Sequence, residues 1–320
     1  MKSKVACKVT LSTMVLLAVT ACGTTYAHTA RQEEAAWPSP HPTPTPTSAA
    51  DLVLPLDAYD LSASERAEVQ RAKMKIIDAC MRAFNLRLKL PDGRPIAYPK
   101  NAGYLGWLGE DQVAKYGYVG PPGQREEAVA AVTGLRGFAL PDSHAGVLMG
   151  EISSFNGEAV PAGGCNSVAE SQLSRGASVT GAVRQYEERQ LHMFSDDAAQ
   201  TAFEDPRLGA ADRAWSTCMK GSEYHYSNPG EAEGDPRWAS NAIDETPKSR
   251  GTEVEIATAT ADEACRRQTN YNGVRLAIYA DHQLAIIKKN KAVLLRIKEI
   301  HRTRLENSRR INSVMATPSW

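Results

Sequence analysis

The chain has 320 residues, of which 42% are hydrophobic and 23% are charged, and its formal net charge is zero. This ordinary composition excludes any inference about partners from overall charge, so only the distribution of charge along the chain is informative. Residues 288–310 carry nine Lys or Arg residues against Glu299 and Glu306, whereas residues 9–287 are acidic overall. We therefore expect an acidic body with a basic C-terminal segment.

The first 22 residues have the pattern of an export signal. Lys2, Lys4 and Lys8 form a basic region, and an apolar stretch follows from Val9 to Ala21. This stretch is shorter than the ~20 residues that span a bilayer, but it suits the core of a signal peptide. It ends in Val-Thr-Ala directly before Cys22, an ending that resembles the lipobox of bacterial lipoproteins.

The lipobox resemblance implies that residues 1–21 are cleaved and that the sulfur of Cys22 carries a diacylglycerol. Two acyl chains anchor a protein stably, whereas a single chain binds only marginally. The expected location is the outer face of the bacterial cytoplasmic membrane, which the protein contacts through its lipid. The alternative is an ordinary signal peptide that is followed by a coincidental cysteine.

Four cysteines remain in the exported body, and no two of them have the CxxC spacing of zinc or redox sites. An even number in an exported chain indicates two disulfides with three possible connectivities. Chain order and an internal repeat favour Cys80–Cys165 with Cys218–Cys265. The other interpretation of Cys165, a nucleophile ahead of a helix, is disfavoured because three further cysteines share an oxidising compartment.

Composition divides the chain into four segments. They are a signal peptide (1–21), a Pro/Thr-rich disordered linker (22–50), a first helix–cysteine unit (51–175) and a second one (176–320). Proline alternates with small hydroxyl residues from Trp37 to Ser48. Such a segment favours polyproline II at ~3.1 Å per residue, so these residues predict a semi-rigid stalk of roughly 37 Å.

The first unit begins with a helix signal. Ser62-Ala-Ser-Glu65 fits a capping box, and Val69, Ala72 and Ile76 lie on one helical face. Alternating apolar residues at 84–88 then indicate a short strand or an extended segment. Residues 100–164 hold thirteen of the 23 glycines. We expect them to form an ordered loop region, too irregular for a layer of helices, with a small β element.

The β element is predicted at Asn156-Gly157, because both positions accept the positive φ of a hairpin turn. Helical pattern then dominates to the end of the chain. Asp205-Pro206 supplies an N-cap and a first-turn proline. Another helix is predicted from about Glu253, with Val254, Ala257 and Ala261 on its apolar face.

The last predicted helix runs from about Val274 to Ser313, or ~60 Å at a rise of ~1.5 Å per residue. A helix of that length either breaks once near Asn290 or projects from the body. Its predicted apolar stripe comprises Ala280, Leu284, Ile287, Leu294, Ile297 and Leu305.

The sequence also repeats itself. Residues 80–88 align without gaps on residues 218–226, and both segments begin Cys-Met-basic-small. Each segment follows a predicted helix and precedes one further cysteine. The repeat predicts two helix–cysteine–strand units, each closed by its own disulfide.

Several motifs resemble those of uncharacterised actinobacterial cell-surface lipoproteins. They are Asp205-Pro-Arg, Trp215-Ser-Thr-Cys-Met-Lys, Pro161-Ala-Gly-Gly-Cys165 and Ala261-Asp-Glu-Ala-Cys265 ahead of a basic helix. The resemblance covers about residues 60–310 and is weakest over 100–160. It implies the exported address and the cysteine framework, and it transfers no catalytic residue.

No catalytic, metal or cofactor motif is found in the sequence. The HExxH, GxSxG and Walker patterns are absent, and the histidines are scattered. Tyr224-His225-Tyr226, with Trp215 and Trp238, could stack on glycan, but a half-buried core strand is the better interpretation. We therefore expect no cofactor and no metal.

The basic segment is the strongest functional hint in the sequence. Its side chains could contact a cell-wall polyanion or a partner protein, or the helix could dock on the acidic body. Nucleic acid is not expected outside the cell. The candidate contact residues are Lys288, Lys289, Lys291, Arg296, Lys298, Arg302 and Arg304.

The sequence thus predicts a mainly α-helical body, stapled by disulfides, with a Gly/aromatic-rich loop, a small β element and a long C-terminal helix on a proline-rich stalk. The favoured function is a non-enzymatic surface interaction or a role in the cell envelope. The alternative is a cell-wall-active enzyme whose site lies in residues 100–164.

Overall fold

The computed structural model describes residues 40, 42–88, 94–96, 98–136, 141–177, 181–238 and 250–314. The predicted signal peptide and Cys22 lie outside these residues. These described residues form one compact unit. Its α-helices are α1 (Ala63–Arg82), α2 (Glu110–Tyr116), α3 (Gln124–Thr133), α4 (Asp142–Met149), α5 (Gly164–Leu173), α6 (Gly181–Glu204), α7 (Pro206–Gly221), α8 (Pro229–Glu233), α9 (Glu253–Gln268) and α10 (Tyr271–Val314).

Two short antiparallel strands, β1 (Ser154–Phe155) and β2 (Glu158–Ala159), complete the fold together with 3₁₀ turns at Ala49–Asp51, Pro55–Tyr59 and Gly117–Val119. The predicted mainly α fold is confirmed. The predicted hairpin is confirmed too, because Asn156 and Gly157 both have positive φ between the strands. Among the described helices, none is long and apolar enough to cross a membrane.

The predicted helix starts follow local capping chemistry. The Ser62 hydroxyl accepts from the Glu65 N–H, and the Glu65 carboxylate accepts from the Ser62 N–H, which completes the capping box of α1. The Asp205 carboxylate accepts from the Arg207 N–H at 3.0 Å, with Pro206 as the first residue of α7. These contacts satisfy N–H groups that have no partner inside the helix.

The prediction for residues 100–164 is wrong in one respect, because α2, α3 and α4 lie there. The glycines that suggested an irregular loop instead flank these short helices. Gly134 ends α3 with φ 76° and Gly150 ends α4 with φ 72°, the left-handed conformation that glycine adopts without penalty. A Cβ on Gly150 would also stand 2.3 Å from the Gly164 nitrogen.

Both predicted disulfides are present. Cys80 is bonded to Cys165 and Cys218 to Cys265, with Cα–Cα distances of 5.7 and 5.6 Å. The first bond joins α1 to α5, and the second joins α7 to α9. Each disulfide therefore ties a pair of helices together.

The predicted repeat is visible in the backbone where α1 and α7 end. Asn85 and Glu223, which align in the repeat, both have positive φ, at 57° and 65°. The next N–H groups, those of Leu86 and Tyr224, donate to the carbonyls of Met81 and Met219 at 3.1 and 3.0 Å. Residues 86–88 and 224–226, which follow, have no regular secondary structure, so the strand predicted for each unit is absent from these described residues.

Helix α10 docks along the body and bends at Asn290, where φ is −117° and ψ is 21°. The predicted break is therefore confirmed. The N-terminal half of α10 packs with α7 and α9, as Ile278 and Tyr279 share a core with Trp215. The C-terminal half packs with α1 and α5 through Leu305.

The predicted apolar face of α9 is wrong. Val254 is 56% exposed, whereas the polar residues Glu255, Asp262 and Arg266 are at most 1% exposed. A polar network thus occupies the interior side of α9. The predicted stripe of α10 is confirmed at its buried members Leu294, Ile297 and Leu305 and is wrong at Leu284, which is 37% exposed.

The last residues of the predicted linker lie against the body. The Pro44 carbonyl accepts from the Asn270 side-chain amide at 2.9 Å. Leu52, Leu54 and Leu56 are then each 3% exposed. The chain thus joins the body well before α1, because these leucines are buried.

Replacing Glu223 with glycine should stabilise the protein by about 0.5–1 kcal/mol. Glutamate in the left-handed region destabilises the folded state by roughly 1–2 kcal/mol, and glycine removes this strain. Glycine also has more conformational freedom in the unfolded chain, which offsets part of the stabilisation. Asn85→Gly should have a smaller effect, because asparagine tolerates this conformation. Urea denaturation measures both changes, and a Glu223→Gly variant no more stable than the parent would contradict the assigned backbone conformation.

Candidate functional site

A cleft of about 340 Å³ lies between four elements. They are the 3₁₀ turn Pro55–Tyr59, the loop that precedes α2, helix α3 and helix α6. Its apolar walls include Leu54, Leu56 and Leu191, together with small residues of α3. The volume lies within the range of small-molecule sites.

One end of the cleft is a network of charges. Lys100 Nζ lies 2.7 Å from an Asp57 oxygen and 3.0 Å from an Asp60 oxygen, and Arg66 contacts Asp60 at 2.7 Å. Burial opposes ionisation of Asp60, but the two cations outweigh it and lower the pKa of this carboxyl to about 2. Asp60 is therefore a fixed negative charge and does not supply a proton near neutral pH.

The cleft wall is built by the segment that leads into α1. The Asn101 side-chain amide donates to the Leu52 carbonyl and to Asp57, both at 2.7 Å. The side-chain carbonyl of Gln283, on α10, accepts from the Leu56 N–H at 2.9 Å. These contacts hold the segment in place as a wall of the cleft.

Aromatic and polar groups complete the interior. The Tyr104 hydroxyl donates to the Ser195 carbonyl at 2.6 Å, and its ring meets the Tyr279 ring edge-on at 5.1 Å between centroids. Burial raises the pKa of Tyr104 well above its usual range, so its hydroxyl stays neutral. His192 and Asp196, one helical turn apart on α6, are exposed at the edge of the cleft.

The charges at the end of the cleft are engaged within the protein. Asp57 accepts from the Leu54 N–H and pairs with Lys100, and Asp60 pairs with Lys100 and Arg66. No group of three or more His, Cys, Asp or Glu side chains could hold a metal within the described ranges. The cleft offers an apolar interior with fixed charges and polar groups at its end.

A second cavity, of about 430 Å³, shares Tyr98 with the cleft. Trp107, Gln112 and Gln124 line it, and Arg136 forms part of its wall. Arg136 donates to the carbonyls of Arg94 and Pro95 and pairs with Glu127. Its guanidinium is therefore engaged within the protein.

The most deeply buried polar cluster lies elsewhere, around Arg266 of α9. This guanidinium is 0% exposed and donates to Asp262 at 2.7 and 2.9 Å. The Asp262 carboxylate also accepts hydrogen bonds from the Trp215 indole N–H at 2.8 Å and from the Tyr118 hydroxyl at 3.0 Å. A buried charge of this kind is satisfied only when its partners stay in place, so the cluster is a structural one.

Glu263, beside this cluster, is 2% exposed, and one of its carboxylate oxygens is buried without a hydrogen-bond partner among the residues that the structure describes. Burial raises its pKa to about 7, with Asp262 adding to the effect and Arg266 and Arg267 opposing it. Sequence analysis did not single out Glu263, because nothing local distinguishes it from an exposed glutamate. It does not line the cleft.

The structure separates the predicted polyanion contacts into two groups. Six of them, Lys288, Lys289, Lys291, Arg296, Lys298 and Arg302, are exposed. Arg302 is ion-paired with Glu299 and Glu306. Arg304 must be removed from the predicted set, because it is 8% exposed and pairs with Glu170 at 2.7 Å.

Other predicted candidates belong to the core. Trp215 and Trp238 are 0% and 5% exposed, so they cannot stack on a glycan from solvent. Tyr226 hydrogen-bonds Asp235 at 2.8 Å. The preference for a core role over a glycan-binding patch is therefore confirmed for the two tryptophans.

Comparison with known protein families, with characterised proteins and with solved structures finds no match for this chain. The resemblance to surface lipoproteins thus rests on the sequence motifs alone.

Glu263 should make stability fall as pH rises. Its pKa is 4.5 in the unfolded chain and about 7 in the folded one, so folding favours the protonated form. The stabilisation is fully present below pH 4.5 and is lost as pH rises through about 7, amounting to about 3 kcal/mol.

Glu263→Gln should abolish this dependence between about pH 5 and pH 8, as urea denaturation would measure. Glu253→Gln, on the same helix, should retain it, because the Glu253 side chain is 80% exposed. Equal pH profiles for the parent and Glu263→Gln would contradict the burial of an ionisable carboxyl.

Proposed function

We propose that this chain is a lipid-anchored protein of the outer face of the bacterial cytoplasmic membrane, which binds a small amphiphilic molecule in the cleft beside Lys100 and does not transform it. The observation that carries the proposal is the preformed cleft, in which an apolar interior ends in the network of Lys100, Asp57 and Asp60. A ligand with an apolar body and a polar end matches this distribution of side chains.

Support for the address comes from the sequence and from the cysteines. The N-terminal pattern ending at Cys22 has the form of a lipoprotein signal. Two disulfides suit an oxidising compartment, where such bonds persist. The proposed anchor and the folded body are then separated by the proline-rich segment.

Mass spectrometry of the mature N-terminus should find residue 22 as the first residue, with a diacylglycerol on its sulfur. Cys22→Ala should leave the precursor unprocessed or release the protein from the membrane fraction. An unmodified N-terminus beyond residue 22 would refute lipidation, and it would leave the proposal for the cleft intact.

Narrowing the cleft should abolish ligand binding without unfolding the protein. Ala128 of α3 lines the cleft and is partly exposed, whereas Val129 next to it is 53% exposed and does not line the cleft. Ala128→Phe should weaken binding of the amphiphilic dye anilinonaphthalene sulfonate at least about tenfold, and Val129→Phe should leave it unchanged.

Thermal melting of both variants controls for folding. Solvent extraction of the protein purified from its native membrane, followed by mass spectrometry, should recover a bound amphiphile from the parent and not from Ala128→Phe. Equal dye binding by the two variants would show that the cleft is not the site.

The alternative, a cell-wall-active enzyme, is favoured by one observation: the cleft borders the Gly/aromatic-rich region through Asn101, Gly103 and Tyr104. The same extracted ligand distinguishes the two. A binding protein returns the ligand with unchanged mass after prolonged incubation, whereas an enzyme returns product at a rate proportional to protein concentration.

A further inference from the structure

Three arginines of the C-terminal half of α10 are ion-paired within the protein. Arg302 pairs with Glu299 and Glu306, Arg304 with Glu170, and Arg309 with Glu68 at 3.3 Å. Docking of the helix on an acidic body thus accounts for these charges. It does not account for the lysines on either side of the bend at Asn290.

Lys288, Lys289 and Lys291 are exposed and make no ion pair within the described part of the chain. Lys298 is also exposed, and its ammonium lies 5.9 Å from the centre of the Tyr59 ring. With Leu295 these four lysines form what we call the α10 lysine patch. Positions 291, 295 and 298, all after the bend, follow the three- and four-residue spacing that keeps side chains on one helical face, and Lys288 and Lys289 directly precede the bend.

The apolar member of the patch decides between two kinds of partner. Leu295 is 52% exposed among the lysines, where an exposed leucine has no packing role. A hydrated wall polyanion would interact only with the charged lysines of such a surface. A layer of anionic lipids would interact with the lysines and with the leucine, because lysines contact the head groups and the leucine enters the boundary with the acyl chains.

The position of the patch is compatible with membrane contact. The chain reaches the body at Pro44, whose carbonyl is bound by Asn270 just before α10 begins. Lys288 follows Gly273 by about 22 Å along the helix, at ~1.5 Å per residue. The residues between Cys22 and Pro44 can extend to at most about 75 Å, so the patch lies within reach of the surface in which Cys22 would be anchored.

We propose that the α10 lysine patch docks the body onto anionic phospholipid head groups. This inference is independent of the ligand in the cleft. It also survives failure of the lipid anchor, since the patch itself supplies the attraction.

The test uses the full chain carrying Cys22→Ser, so that an acyl anchor cannot mask weaker binding. Its probes are vesicles of phosphatidylcholine alone and of phosphatidylcholine mixed with phosphatidylglycerol. The neutral vesicles report the contribution of the apolar N-terminal region. Replacing Lys288, Lys289 and Lys291 together with glutamine should weaken binding to the anionic vesicles about 100-fold.

The matched control removes the same charge elsewhere. Arg71 of α1 and Arg213 and Lys220 of α7 are exposed, and the described residues contain no ion-pair partner for them. Their triple replacement by glutamine should leave vesicle binding within about twofold of the parent. Replacing the three patch lysines with arginine should preserve binding, because the charge remains.

Leu295→Ala separates lipid from polyanion. It should weaken binding to anionic vesicles several-fold and leave retention on purified cell wall unchanged. If the patch variant and the control variant lost vesicle binding equally, net charge alone would explain the effect and the proposal would be overturned. The proposal would also be overturned if the glutamine variant of Lys288, Lys289 and Lys291 bound anionic vesicles like the parent, or if it lost only its retention on cell wall.

Discussion

The buried guanidinium of Arg266 is the constraint on which the central part of the fold depends. One side chain of α9 reaches the Glu233 carboxylate after α7 and the Gly106 carbonyl before α2, at 2.6 and 2.5 Å. Asp262, one turn earlier, receives the Trp215 indole of α7 and neutralises the same guanidinium. Removing Asp262 would leave the buried guanidinium without its buried counter-charge, so the elements that carry this network must assemble together.

The network also places the cleft. Arg266 fixes the loop around Gly106, and this loop carries Asn101, Gly103 and Tyr104 into the cleft wall. The opposite wall depends on α10, where Gln283 holds the segment at Leu56. The two walls of the cleft are thus held in position by separate polar interactions.

Sequence reasoning succeeded where the deciding chemistry is local. Capping residues Ser62 and Asp205, the Asn156-Gly157 turn and the bend at Asn290 are each set by neighbours within a few residues. The disulfide pairing followed from chain order and the repeat. The prediction of the apolar face of α9 failed, because apolar periodicity identifies a buried face only when polar residues face water. In α9, Glu255 and Asp262 face the interior. The cleft escaped detection for another reason. Asp57, Lys100, His192 and Gln283 meet in space from distant positions, and no spacing records that.

The way the chain enters the body has a mechanical consequence. The proline-rich stretch is held at Pro44 by one hydrogen bond. The segment that follows it is buried at Leu52, Leu54 and Leu56 and continues directly as a wall of the cleft. A pull directed from the N-terminal side is therefore borne first by the Asn270 contact and next by these leucines. The force reaches Asp57 and Asp60 only after these leucines have left their buried positions. Tension between an anchored N-terminus and the envelope would thus open the cleft before it disturbed either disulfide-linked helix pair.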